Sequence, residues 1–427
     1  MSMGIFPVCT YSAAEKYGAR PQYIFRRAWR SLENTAAHYD NKWGTVMKEN
    51  NLVITGMGAV TPVGIGVSEY WNALKEGTCG VGKITRFDAA EMPVQIAAEL
   101  KDFDPTAYMP KTLARTMDPF MQFAFIAAEQ AIADSGLCIE SESDRVGIVM
   151  GTAMDGVTTV AQTQAAFDEG KRVGPRFVPM TIGNIAAAQI AIAHGIHGPS
   201  LTLNTACSAG GDAIMTATML LHSGEADAVL AVGGESILCP IVVSGLAQAK
   251  ALSRRNDDPE HACRPFDADR DGFVIGEGGG ALLIETEEHA VKRGATIYAR
   301  LAGWANTSDA HHVTAPCPDG EGAARCMKLA LARAGMQPSD IGYINAHGTS
   351  TPLGDKAETF AIGFQLLAFV FEFGIQFFHL APEIVERTFE IFIRHEQVAF
   401  YIFLLYLVTC FTRQNHQLAH HVFAGKV

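Results

Sequence analysis

From Leu52 onward the chain changes character, and short apolar runs closed by glycine alternate with alanine-rich stretches of helical period. Leu52–Gly58, Val146–Gly151, Leu201–Leu203 and Ala228–Gly234 read as strands, while Phe120–Ser135, Ile185–His194 and Ala209–His222 read as helices. Strands alternating with helices of this length predict an α/β layered fold. The strands are apolar on both faces, so helices should cover the sheet on both sides. A second pattern of the same kind begins near Tyr298, with a helix at Ala323–Ala334 and a strand at Ile341–Ala346, and stops at about Thr359.

The two ends do not follow this pattern. Residues 1–50 are mixed and lack periodicity. Residues 360–427 hold 13 of the 24 phenylalanines and only 3 of the 41 glycines, so composition alone divides the chain there. The longest apolar run of this tail, Val398–Phe411, has 14 residues, short of the ~20 a membrane-spanning helix needs. A buried or aggregating segment is therefore the preferred reading of the tail, above a membrane-attached module. At the other end no secretory signal precedes Val8, and acidic residues among the leader arginines weaken a transit peptide.

The chain has 427 residues, 48 % hydrophobic and 18 % charged. That length fits two large units or three of about 150 residues, with apolar side chain enough to exclude global disorder. A net charge of −12 argues against a nucleic-acid partner. The nine cysteines are scattered, with no CxxC pair, which fits reduced thiols in a cytoplasmic protein better than a disulfide scaffold.

Three motif-like stretches are refused. Asp267-Ala-Asp269-Arg-Asp271-Gly272 opens like a calcium loop, but position twelve is Gly278 where a bidentate glutamate is needed, so a charged turn is expected. Gly56-Met-Gly58 has Thr61 in place of the third glycine of a dinucleotide fingerprint and reads as a turn. The adjacent pair His311-His312 cannot present both rings to one metal from one face and reads as polar lining.

Two segments carry chemistry. In Ser200-Leu-Thr-Leu-Asn-Thr-Ala-Cys207-Ser-Ala-Gly-Gly-Asp212 an apolar run ends, a cysteine stands at the turn, and a helix of small residues follows at once. A lone cysteine is ordinarily an inert thiol. At a helix N-terminus, unpaired N–H groups and the helix dipole favour the thiolate, and the position becomes that of a nucleophile. In Ile344-Asn-Ala-His347-Gly-Thr349-Ser-Thr351-Pro-Leu-Gly-Asp355 a strand-like run ends in a polar loop with one histidine, a group able to donate or exchange a proton near neutral pH.

Together with Val53-Ile-Thr-Gly-Met-Gly, Ala251-Leu-Ser-Arg, Arg264-Pro-Phe-Asp and Arg270-Asp-Gly-Phe-Val-Ile-Gly-Glu, these segments give residues 52–359 a close resemblance to the β-ketoacyl-acyl-carrier-protein synthases, the elongating condensing enzymes of the type II kind. The resemblance implies a thiolase-like five-layer αβαβα fold of two related halves, usually a homodimer. It implies residues 51–297 as the N-terminal half and 298–359 as the start of a C-terminal half, between a divergent leader (1–50) and a divergent tail (360–427). It implies an acyltransferase of fatty acid biosynthesis. Cys207 would take an acyl chain from acyl carrier protein, and malonyl-carrier protein would then be decarboxylated and condensed with it. His347 would stabilise charge on the malonyl thioester carbonyl. Thr314, Thr349 and Thr351 would line the pantetheine arm, and Lys250 and Arg115 would belong to a basic docking surface for the carrier protein. No cofactor is implied beyond the phosphopantetheine that the carrier protein brings.

The family also carries a second histidine in Gly-His-Leu-Leu-Gly-Ala-Ala-Gly, a lysine in Ser-Thr-Lys, and a closing Asn-Ser-Phe-Gly-Phe-Gly-Gly loop. None of these stretches occurs in this chain, and His379, the nearest histidine to the expected place, is given no role. The break after Glu358 is expected to mark a reading-frame shift or wrong splice, and Met47 would make an ordinary start. Condensation by the chain as written is expected to be impaired. Competing readings are a non-catalytic partner subunit such as a chain-length factor, which typically lacks the nucleophile, and a coenzyme A thiolase, which the His-Gly-Thr-Ser-Thr loop fits less well.

Overall fold

The structure, a computed structural model, describes residues 51–363. Nine strands occur among them: β1 (Leu52–Thr61), β2 (Gly64–Ile65), β3 (Gly82–Lys83), β4 (Ile96–Ala97), β5 (Val146–Gly151), β6 (Ser200–Leu203), β7 (Ala228–Glu235), β8 (Gly278–Thr286) and β9 (Ala299–Leu301). β3 and β4 pair with each other. The other seven form one mixed sheet in the order β2-β1-β8-β7-β5-β6, with β9 also on β1. β5 runs parallel to β6 and β7, whereas β8 is antiparallel to β7 and β1.

Alternation along the central strands decides what covers each face. Ile148, Met150, Leu230 and Val232 pack with the helix α1 (Pro119–Ser135). Their neighbours Val149, Val229 and Ala231 pack on the opposite face with Ala213, Ala217 and Leu221 of α2 (Ala209–Ser223). Strands apolar on both sides thus have a helix on each, as the sequence pattern predicts.

Helix α1 is apolar nearly all round and lies inside the molecule, with Phe120 and Phe123 fully buried. Each such side chain contributes about 1.5–3 kcal/mol by leaving water. Asp118 caps the helix, Pro119 opens it, and Gly136 (φ 62°) ends it in the left-handed region. Here one expectation is corrected. Gly56 and Gly58 do not form a turn; they lie within β1. A Cβ on either would stand 2.2 Å or 1.9 Å from the carbonyl oxygens of Ala131 and Ala127. These glycines let the α1 backbone rest directly on the strand.

A second correction concerns Ile341–Ala346, which forms no strand. A strand requires a neighbour for its backbone N–H and C=O groups, and among the described residues none pairs with this segment; Tyr343 is 82 % exposed. The expected helix at Ala323–Ala334 is present as Glu321–Ala334. A last helix spans 352–363, with Ala361 and Ile362 buried. The leader, His379 and the Phe-rich tail beyond 363 lie outside the described residues, as do the expectations that concern them.

Asp118 shows what burial does to a carboxyl. It accepts hydrogen bonds from Thr159 Oγ1 (2.6 Å), Thr159 N (2.9 Å) and Phe120 N (3.1 Å). Loss of water outweighs these bonds and raises its pKa to about 6. The folded state therefore keeps this proton to higher pH than the unfolded chain, where it leaves near 3.9. The group's contribution to stability falls as pH rises through that interval. Measured against Asp118→Asn, the wild type should lose roughly 2 kcal/mol of relative stability between pH 4 and 7. Urea unfolding of both proteins across that range checks this, and a flat difference would contradict it.

Candidate active site

The turn that carries Cys207 follows the end of β6. Ala206, Cys207 and Ser208 make a single tight turn, and α2 starts at Ala209. Ala206 holds φ 52°, a left-handed conformation that costs a residue with a Cβ about 1–2 kcal/mol. The strain sharpens the bend and leaves Cys207 exposed at its outer side. Gly151, at the end of β5, makes room for it. A Cβ there would lie 2.3 Å from the Ala209 carbonyl oxygen and drive the first turn of α2 away from the sheet.

His347 reaches the same place from the other end of the chain. It comes beside the Cys207 thiol, and its attraction is the largest influence lowering the thiol pKa against the opposing effect of burial. The same attraction raises the imidazole pKa. The pair is thus biased toward thiolate and imidazolium. To the helix N-terminus the structure adds an imidazole partner that also favours the thiolate.

The loop that carries His347 is held by residues the sequence reading used only as family markers or not at all. The carboxylate of Glu358 accepts the backbone N–H groups of His347 (2.7 Å) and Gly348 (2.8 Å). Ser350, fully buried with φ 61°, accepts Arg264 N at its hydroxyl (3.0 Å) and Gly272 N at its carbonyl (2.9 Å). Asp355, 1 % exposed, accepts Phe266 N (2.7 Å) and pairs with Arg270 (3.0 Å). Arg270 also donates to the carbonyls of Thr351 (3.2 Å) and Pro352 (2.9 Å). The segment 264–272 is therefore a charged turn with a purpose: it cradles the histidine loop. Its acids are engaged locally, Asp271 accepting Ser253 Oγ (2.7 Å) and pairing with Arg264 (3.1 Å).

The remaining candidates are distributed more loosely. Thr349 and Thr351 meet, their hydroxyls 2.8 Å apart, and Thr351 Oγ1 also accepts Gly354 N. Thr314 is exposed in a separate loop. His312, next to it, uses ring Nδ1 to accept the N–H groups of Thr314 and Ala315, both at 3.1 Å, so this histidine shapes a turn. Lys250 and Arg115 are both exposed. Arg115 has a basic neighbour that sequence reading missed, because Arg176 donates to its carbonyl at 3.4 Å.

A thiol at a strained strand–helix elbow, paired with an imidazole that a distant loop delivers, is equipped for acyl transfer through a thioester. Comparison with known proteins agrees. The 3-oxoacyl-[acyl-carrier-protein] synthase 2 of Synechocystis sp. is 46 % identical over 319 residues, which is 74 % of this chain and 77 % of that protein. The crystal structure of a beta-ketoacyl synthase from Burkholderia phymatum superposes with a TM-score of 0.68 at 34 % identity, covering 74 % of this chain and 78 % of that one. A type II polyketide ketosynthase, solved with its acyl-carrier protein and bound to the hexaketide, gives 0.68 at 33 % identity over 75 % and 78 %. The layered fold is accordingly the thiolase-like fold of the ketosynthases. Residues 49–290 match the beta-ketoacyl synthase N-terminal domain and residues 298–366 its C-terminal domain. The cysteine elbow lies in the first match and the histidine loop in the second, and the chain belongs to the beta-ketoacyl synthase family.

Proposed function

We propose that the chain is a condensing enzyme of fatty acid biosynthesis, a 3-oxoacyl-acyl-carrier-protein synthase of the type 2 kind. The observation that carries this reading is the pairing of Cys207, at its strained elbow, with His347. Cys207 Sγ attacks the carbonyl of an acyl thioester. The bond to the carrier's phosphopantetheine sulfur breaks, and that thiol leaves with the proton His347 holds. Acylation takes the thiolate away from His347, which regains a proton from solvent, and its ring N–H then faces the malonyl thioester carbonyl. Loss of carbon dioxide leaves a carbanion whose charge spreads onto that oxygen, where the imidazole stabilises it. The carbanion attacks the acyl carbonyl, the carbon–sulfur bond to Cys207 breaks, and a 3-oxoacyl product forms. The protein supplies no cofactor of its own, since phosphopantetheine arrives on the carrier.

Thr349 and Thr351, with Thr314, hold the pantetheine arm. Arg115 and Lys250 attract the acidic carrier, and Arg176 beside Arg115 adds to that local charge. Residues 51–297 form one ketosynthase half and 298–359 begin the second. A homodimer is supported by β6, an edge strand with Leu201 44 % exposed, because open edges and apolar side chains together favour pairing with another chain. No helix among the described residues is long and apolar enough to cross a membrane, and a cytoplasmic location fits the free thiols.

The lack of the second-histidine, lysine and closing-loop stretches points to acyl transfer without steady condensation. The test is incubation of the chain with an acyl-acyl-carrier-protein, followed by mass analysis. Acyl mass on the peptide containing Cys207 is expected, with little 3-oxoacyl product when malonyl-carrier protein is added. No acylation of Cys207 would overturn the assignment, and sustained product formation would overturn the impairment. Retention of Cys207 together with its imidazole argues against the non-catalytic partner subunit.

A further inference from the structure

The helix that follows the nucleophile carries a buried carboxylate that acyl transfer does not use. Asp212 stands in the first turn of α2 and is 6 % exposed. Its Oδ2 accepts the hydroxyl of Ser208 at 2.8 Å, and its Oδ1 accepts Asn306 Nδ2 at 2.7 Å. Ser208 follows Cys207 directly, and its hydroxyl also lies 2.9 Å from the Thr205 carbonyl oxygen. Ser208, next to the thiol, is thereby held against Asp212 and the Thr205 carbonyl, its one hydrogen serving one acceptor at a time. Asn306 is itself anchored to a segment remote from α2 in the chain. Its neighbours fasten to the helix Glu321–Ala334, through Thr307 Oγ1 on the Gly322 carbonyl (2.8 Å) and Cys326 Sγ on the Ala305 carbonyl (3.3 Å).

We propose that Asp212 is a positioning residue for Cys207, tying the nucleophile turn through Ser208 to Asn306 so that the thiol stays in register with His347. The proposal rests on Cys207 being the nucleophile. A turn strained at Ala206 persists only where its surroundings over-determine it, and the Asp212 tether is such a restraint. The carboxylate has two effects of opposite sign on the thiol. As a negative charge near sulfur it disfavours thiolate, so removing charge alone would make Cys207 more reactive at low pH. As a tether it keeps the thiol on its imidazole, so removing the tether makes Cys207 less reactive at low pH.

The opposite signs make the test decisive. Alkylation of Cys207 by iodoacetamide is followed by peptide mass spectrometry from pH 6 to 10 in wild type, Asp212→Ala, Asp212→Asn and Asn306→Ala. Positioning predicts that Asp212→Ala moves the profile to higher pH, slowing alkylation at pH 6.5 by about tenfold, the effect of one pH unit. Asn306→Ala should move it in the same direction. Asp212→Asn keeps an acceptor oxygen and should rescue the wild-type profile or shift it slightly lower. In a His347→Ala background the Asp212→Ala change should add nothing. Should Asp212→Ala fail to fold by circular dichroism, Asn306→Ala and Ser208→Ala read the same tether from its two ends. A profile unchanged, or moved to lower pH by Asp212→Ala, overturns the proposal while leaving Cys207 as nucleophile. If wild-type Cys207 reacts no faster than the exposed thiols Cys79, Cys138 and Cys263, both readings fall.

Discussion

Replacing Cys207 by serine is expected to lower acyl transfer from an acyl-carrier protein on the order of 10³-fold or more while leaving the fold intact. The thiol stands exposed at the elbow, so the substitution removes one sulfur without opening a core cavity. What is lost is the thiolate. The His347 imidazole beside it biases sulfur toward its charged form, whereas a serine hydroxyl in that place stays neutral and is a far weaker nucleophile. His347→Ala should show the same chemistry more gently. The thiol pKa would rise toward that of an ordinary cysteine, so alkylation should slow below pH 8 and match wild type at pH 10, where both thiols are ionised. The pair also has a sign for stability. Its contribution is present where thiolate and imidazolium coexist, and is lost at high pH once His347 gives up its proton. Stopped-time acylation assays and the alkylation profile check these outcomes. Acyl transfer by the serine variant at the wild-type rate would show that another residue accepts the chain.

Parts of this molecule were legible in the sequence for simple reasons. Strand β5 and β7 up to Gly234 are runs with no polar side chain, and helices α1 and α2 repeat their apolar residues at helical spacing, so local pattern was enough. Cys207 was legible because strand, cysteine and helix are contiguous. His347 had weight only through the family motif, because nothing local reveals that its loop folds back to the elbow. Gly56 and Gly58 were misread since a glycine that admits a helix backbone and one that makes a turn look alike in a sequence. Ile341–Ala346 was misread for the opposite reason: its pattern is that of a strand, but the pairing partner is a matter of tertiary structure. The cradle of Arg264, Arg270 and Asp355 joins two segments remote in the chain, and Glu358 acts on backbone groups, so neither leaves a local signature.

That cradle sets the second large effect. Asp355→Ala should destabilise the histidine loop by about 3–5 kcal/mol, the usual consequence of removing one partner from a buried ion pair. Asp355 is 1 % exposed and its partner Arg270 is 17 % exposed at the side chain. The substitution removes the guanidinium's charged partner, leaving it only backbone carbonyls, and deprives Phe266 N–H of its acceptor at once. Phe266 sits at φ 65° and Ser350 at φ 61°, so two segments in the left-handed region lose the contact that holds them together, and each gains by relaxing. Asp355→Asn should cost less, because its amide oxygen still accepts Phe266 N–H while only the charge is gone. Two measurements distinguish a local from a general effect. Hydrogen exchange should quicken at Gly272, His347 and Gly348, whose N–H groups are bonded within this assembly, while amides of β5 and β7 keep their protection. The Cys207 alkylation profile should also move to higher pH, because an imidazole on a loosened loop no longer holds the thiolate. An Asp355→Ala protein with wild-type exchange at these amides and an unmoved profile would show that Glu358 and Ser350 suffice to place His347.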